Sequence, residues 1–120
     1  ALTTDTSVIT SIGNDIGYEY IFSRQLEAIA KPGDLFIAIS TSGKSPNIIN
    51  AIKWAMKNNI QTSLWTGDYD IKDLSVLNNF GKLIILRSSS KETSKIQEQQ
   101  LMLGHIFCGI LEKYVVDNNL

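Results

Sequence analysis

Apolar positions along the chain alternate between helical spacings and short uninterrupted runs. Tyr18, Ile21, Phe22, Leu26 and Ile29 recur every three or four residues, which predicts an amphipathic helix. Lys31-Pro32-Gly33-Asp34 ends it as a turn, because Pro presets φ and Gly accepts unusual φ. Leu35–Ile39 is then continuously apolar, as suits a parallel strand buried on both faces. Ser45-Pro46 opens a helix, with Ser as N-cap and Pro at the first helical position. Its apolar face is Ile48, Ile49, Ile52, Ala55 and Met56, and Asn58-Asn59 ends it.

The same pattern continues downstream. Thr62–Thr66 predicts a short strand closed by Gly67-Asp68, Ile71–Leu77 a short helix, and Leu83–Leu86 another strand. Ser89 and Glu92 have the spacing of a capping box, ahead of a long helix running to about Val115. Ile96, Leu103, Phe107, Ile110 and Tyr114 form the main apolar face of that helix. At the front, a strand is expected over Ala1–Thr4, with a further stretch at Val8–Ser11. Strands alternating with helices predict an α/β three-layer sandwich around a parallel sheet, one domain over residues 1–120. In such sheets ligands sit at the carboxyl ends of the strands.

Composition narrows the function classes. Apolar residues make up 43% and charged residues 19%, enough apolar surface to order a chain of 120 residues. A net charge of -1 weighs against a nucleic-acid backbone binder. The longest apolar run, Leu35–Ile39, is far too short to span a bilayer, and no signal-peptide pattern is visible. Cys108 is the only cysteine, so it forms no internal disulfide, which fits a reducing compartment.

Three places can carry chemistry. Ser40-Thr41-Ser42-Gly43-Lys44-Ser45 joins a strand to a helix N-terminus. Free N–H groups, hydroxyls and a close-approaching Gly suit a phosphate, and the same residues also suit a plain polar turn with an N-cap. The loop is not a Walker A motif, because GxxxxGK[ST] is absent. Ser11-Ile12-Gly13-Asn14-Asp15 precedes the first amphipathic helix, where Asn14 and Asp15 can cap it or hydrogen-bond sugar hydroxyls. On the last helix, Gln97 and His105 are eight residues apart, within about 80° around the axis and about 12 Å along it. They can flank one site, or His105 can be an ordinary exposed residue on a face shared with Glu98 and Glu112. Leu101, Cys108 and Val115 give this helix a second apolar side, which predicts burial by another subunit in a homo-oligomer.

Taken in order, several stretches resemble one family. They are Ala1-Leu2-Thr3-Thr4-Asp5-Thr6-Ser7, Gly13-Asn14-Asp15, Phe22-Ser23-Arg24-Gln25, Ile39-Ser40-Thr41-Ser42-Gly43, Ser45, Ile96-Gln97-Glu98 and His105. Together they are similar to the bacterial sedoheptulose 7-phosphate (phosphoheptose) isomerases of the sugar isomerase, or SIS, superfamily. The ISTSG loop occurs broadly in SIS domains, whereas its combination with GND, FSRQ and IQE followed by His is more specific.

The resemblance implies a flavodoxin-like SIS domain that isomerises sedoheptulose 7-phosphate to D-glycero-D-manno-heptose 7-phosphate through an enediol, an EC 5.3.1 reaction feeding heptose synthesis for lipopolysaccharide or capsule. It implies that Ser40, Thr41, Ser42 and Ser45 hold the phosphate, and that Asn14, Asp15 and Gln97 contact the sugar. His105 would be catalytic, and Gln97 and His105 would be zinc ligands. It further implies a cytoplasmic homotetramer without nucleic-acid or membrane partners.

The chemistry matches the residue types. Histidine side chains exchange protons near neutral pH, and zinc, where bound, polarises a carbonyl as a Lewis acid. The family also has an earlier strand, a Gly-Asn-Gly-Gly-Ser loop and a helix carrying His-x-x-x-Glu, none of which occurs in these 120 residues. The expectation is therefore a domain lacking the family's first strand and flanking helices. Ser94 stands where the family usually has Asp. The alternatives are a non-catalytic SIS module, such as a sugar-phosphate sensor, and a replication-initiator-associated relative. That relative shares the ALTTD and ISTxG signatures but lacks the histidine of the last helix.

Overall fold

Three parallel strands set the frame of the computed structural model, which describes residues 1–71 and 83–119. In chain order the elements are α1 (Thr6–Asp15), a 3₁₀ turn (Tyr18–Tyr20), α2 (Ser23–Ile29), β1 (Leu35–Ile39), α3 (Pro46–Lys57), β2 (Gln61–Thr66), β3 (Leu83–Arg87) and α4 (Thr93–Asp117). The strand order is β1-β2-β3, with Ile39 opposite Trp65 and Thr66 opposite Arg87. That register brings the carboxyl ends of all three strands to one edge of the sheet.

The α/β reading therefore holds, with a parallel sheet and helices on both faces. On one face Ala38 and Leu64 of the sheet pack with Ile52 and Met56 of α3. Leu26 of α2 packs in turn with Ala51 and Ala55 of α3. On the other face the Trp65 ring meets Phe107 of α4 edge-on, with centroids 6.1 Å apart. Ile52 is wholly buried at the centre of the α3 layer. Ile52→Ala is expected to cost about 2–5 kcal/mol in denaturant unfolding, as a transfer loss plus a cavity.

The middle of the chain follows its pattern closely. Ser45 is the N-cap of α3 and Pro46 its first residue, though Ser45 makes no side-chain cap bond. Asn58 caps the other end, and Asn59 adopts the left-handed φ of 59° that stops the helix.

The front of the chain departs from expectation. Ala1–Thr4 form no strand; the Thr4 hydroxyl donates to the Ala1 carbonyl at 2.9 Å in a turn. Val8–Ser11 lies inside α1, because the Asp5 carboxylate accepts from Val8 N at 3.0 Å and caps the helix. Ser11–Asp15 is the last part of α1 rather than a loop, so Asn14 and Asp15 do not cap the next helix. The helix expected across Tyr18–Ile29 is split into the 3₁₀ turn and α2. Gly17, at φ 133°, starts that turn in a conformation other residues rarely adopt.

The structure departs from three further expectations. Leu35 and Ile39 of β1 are about half exposed, because among the described residues β1 pairs only with β2. Ser89 and Glu92 form no capping box. Glu92 is the N-cap of α4 without a side-chain cap bond, and its own N–H is taken by the Ser90 hydroxyl at 3.0 Å. On α4, Ile96 is buried, whereas Ile110 and Tyr114 of the expected apolar face are exposed, as are Leu101, Cys108 and Val115 of the second. The short helix expected over Ile71–Leu77 lies, beyond Ile71, outside the described residues. No helix among the described residues is long and apolar enough to cross a membrane.

Candidate functional site

The hydroxyl loop leaves the carboxyl end of β1 and is braced from within. Ser40 is buried, and its hydroxyl accepts from Gly43 N at 3.1 Å while standing 3.4 Å from the Ser45 hydroxyl. The Ser42 hydroxyl accepts from Lys44 N at 3.1 Å. Gly43 has a left-handed φ of 66°, and a Cβ there would meet Ile71 Cδ1 and Thr66 Oγ1, each at 2.9 Å. The loop therefore needs glycine at this point both for conformation and for space.

The neighbouring loops lock onto it. The Thr41 carbonyl accepts from Gly67 N at 2.9 Å and from the Thr66 hydroxyl at 3.3 Å. Asp68 N in turn donates to the Ser90 carbonyl at 2.9 Å. Loops after all three strands are thus joined at one end of the sheet, where ligands sit in folds of this type. Ser40, Thr41, Ser42 and Ser45 stand together there at the start of α3, whose N-terminus favours an anion.

Gln97 and His105, both exposed, line one open groove of about 590 Å³. Ile39, Trp65, Gln100, Leu101, Gly104 and Cys108 complete its lining. Ile39 directly precedes Ser40, so the hydroxyl loop begins where the groove meets β1. Asn14 and Asp15 do not line this groove. They lie exposed at the end of α1, where Asn14 Nδ2 donates to Asp15 Oδ1 at 2.7 Å. Ser94 sits in the first turn of α4, its hydroxyl donating to Glu92 Oε1 at 3.2 Å.

Gln97 and His105 offer two donors for zinc, and among the described residues no three His, Cys, Asp or Glu side chains come together. A catalytic zinc takes three protein ligands plus a water. These residues alone do not make that site.

Trp65 and Gln100, like Gly104, line the groove without having been singled out from the sequence. Trp65 forms the floor, its indole N–H donating to the Ser63 hydroxyl at 3.1 Å. Gln100 is buried, and its amide donates to the Trp65 carbonyl at 3.0 Å. A signal for Gln100 existed. It occupies a stripe position between Ile96 and Leu103, where helical spacing calls for an apolar side chain.

Comparison with known proteins matches residues 1–64 to the SIS domain family. The phosphoheptose isomerase of Burkholderia pseudomallei (strain 1710b) is 46% identical over 114 residues, covering 93% of this chain and 54% of that protein. That of Aneurinibacillus thermoaerophilus is 44% identical over 118 residues, covering 98% of this chain and 57% of its own length. Among solved structures, the phosphoheptose isomerase from Neisseria gonorrhoeae superposes with a TM-score of 0.81 at 36% identity. The one from Francisella tularensis gives 0.83 at 32%. Each match covers 94% of this chain and 60% of the other. The chain thus spans little more than half the length of the curated relatives it matches.

Proposed function

The chain belongs to the SIS domain family, and from that premise we propose that it is the larger part of a sugar-phosphate isomerase acting on sedoheptulose 7-phosphate. The observation that carries this is the groove in which α4 sets Gln97 and His105 beside the carboxyl ends of β1 and β2, next to the hydroxyl loop. A phosphate held by Ser40, Thr41, Ser42 and Ser45 at the α3 N-terminus places the rest of a sugar chain along that groove.

In the reaction, C1 of the ketose gives up a proton and C2 receives one. The hydroxyl on C1 loses its proton, and the former carbonyl oxygen on C2 gains one. Protons are moved between four atoms of one substrate and no redox partner is needed. His105 carries protons at the reacting carbons, and Gln97 hydrogen-bonds the oxygens to orient them. The presence of His105 in the groove is what favours an isomerase over a binding module. Asn14 and Asp15 contact the sugar in this proposal only where the end of α1 is brought to the groove of another subunit.

Homotetramer formation is part of the same reading. Leu101, Ile110 and Val116 of α4 are each more than 60% exposed, and a subunit interface would bury them. Cytoplasmic location and a place in heptose supply for envelope or capsule follow from the substrate. Zinc belongs here only if donors from elsewhere join Gln97 and His105. The test is turnover by the full-length protein. Conversion of sedoheptulose 7-phosphate to the aldose is expected, and a purified, folded, inactive protein would sink the proposal.

A further inference from the structure

We propose that Gln100 is a positioning residue that ties α4 to the hydroxyl loop and thereby fixes the height of Gln97 and His105 over the groove; this rests on the reading of His105 as the proton carrier. The argument starts from one carbonyl. Trp65 O, near the carboxyl end of β2, accepts from Ser40 N at 3.0 Å and from Gln100 Nε2 at 3.0 Å. A carbonyl oxygen has two lone pairs, and both are used. One donor opens the hydroxyl loop, and the other belongs to the helix that carries Gln97 and His105.

Burial makes this joint specific. Gln100 is only 9% exposed and sits in the apolar stripe of α4. A buried amide is costly unless it finds a partner, so α4 favours the register in which Gln100 meets Trp65 O. Sliding α4 by a fraction of a turn breaks that bond. Gln97 is three residues before Gln100 and His105 five after it, so the anchor lies between the two groove residues. Proton transfer requires hydrogen-bond reach, and misplacement by about 1 Å can cost about 100-fold in rate. Nothing else among the described hydrogen bonds joins the body of α4 to the strands.

Gln100→Met is the test variant. Met matches Gln in length and leaves Trp65 O with its Ser40 donor, so no carbonyl is orphaned. In the full-length protein kcat is expected to fall about 10- to 100-fold, with KM for sedoheptulose 7-phosphate within about twofold because the hydroxyl loop is kept. The His105 imidazole resonance, assigned by its loss in His105→Ala, is expected to move. Gln100→Glu, which turns a carboxylate toward the carbonyl oxygen, is expected to lower kcat further. A folded Gln100→Met protein with unchanged kcat and an unmoved resonance overturns the proposal, as does a loss of rate that only tracks the folded fraction. Should Gln100→Met not fold, Gln100→Asn withdraws the amide by one carbon and is read in the same way. If the wild-type protein does not turn over the sugar, the functional reading fails on its own. The resonance then decides the positioning role, moved in support and unmoved against.

Discussion

Replacing His105 by Ala is expected to lower kcat for sedoheptulose 7-phosphate by about 10²- to 10⁴-fold, the usual contribution of a positioned acid or base. Stability should change little. His105 is exposed on α4, and Ala is the better helix former. The groove and its Trp65 floor remain, so phosphate binding by the hydroxyl loop is expected to survive. His105→Gln sharpens the result. Gln keeps hydrogen-bonding groups but transfers no proton near neutral pH, so a proton carrier fails in both variants and a mere binding group is partly restored by Gln. Turnover of the full-length variants beside their thermal midpoints makes the comparison. Turnover retained in a folded His105→Ala protein would show that another group moves the proton.

The middle of the chain was legible because each level of signal agreed. Leu35–Ile39 is apolar without break, Pro32-Gly33 marks the turn before it, and Ser45-Pro46 marks the helix after it. The front was not legible, and α1 shows why. Its sequence, TSVITSIGND, is rich in β-branched residues and contains a glycine, so local propensity speaks for strand. Asp5 and the spacing of Val8, Ile9 and Ile12 speak for helix, and the cap on Val8 N decides it. Missing that cap carried Asn14 and Asp15 from the end of a helix to a loop.

The site divides in the same way. The place of Ser40–Ser45 could be read, because an apolar run before it and Ser-Pro after it mark a loop between a strand and a helix, and the structure has it between β1 and α3. That Gln97 and His105 border one groove could be read because eight residues on one helix leave them within about 80° of each other. Trp65 and Gln100 could not, because their part depends on register between distant elements. Only the pairing of β1 with β2 puts Ser40 N on the Trp65 carbonyl, and only the packing of α4 puts Gln100 there as well.

Gly67→Ala is expected to destabilise the fold strongly for the addition of a single methyl. A Cβ at Gly67 would stand 2.5 Å from Ile96 Cδ1, 2.9 Å from the Thr41 carbonyl oxygen and 3.0 Å from the Ser90 carbonyl oxygen. The Ile96 side chain is wholly buried, so its tip moves only by displacing the neighbours packed around it. The two oxygens belong to backbone that Gly67 N and Asp68 N hold in place. The methyl must therefore push apart the loop after β1 and the approach to α4. Overpacking of this kind costs about 1–3 kcal/mol, and with two backbone contacts the upper end is expected. A denaturant midpoint lowered at unchanged slope would report it. Because Thr41 moves with its carbonyl, inorganic phosphate should bind the hydroxyl loop more weakly in the same variant. Ile96→Val separates the contributions. It removes Cδ1 and alone costs about 0.5–1.5 kcal/mol, but beside Gly67→Ala it clears the shortest contact, so the double variant should be less destabilised than the sum of the singles. A Gly67→Ala protein as stable as the wild type would mean that the three loops are not locked together at Gly67.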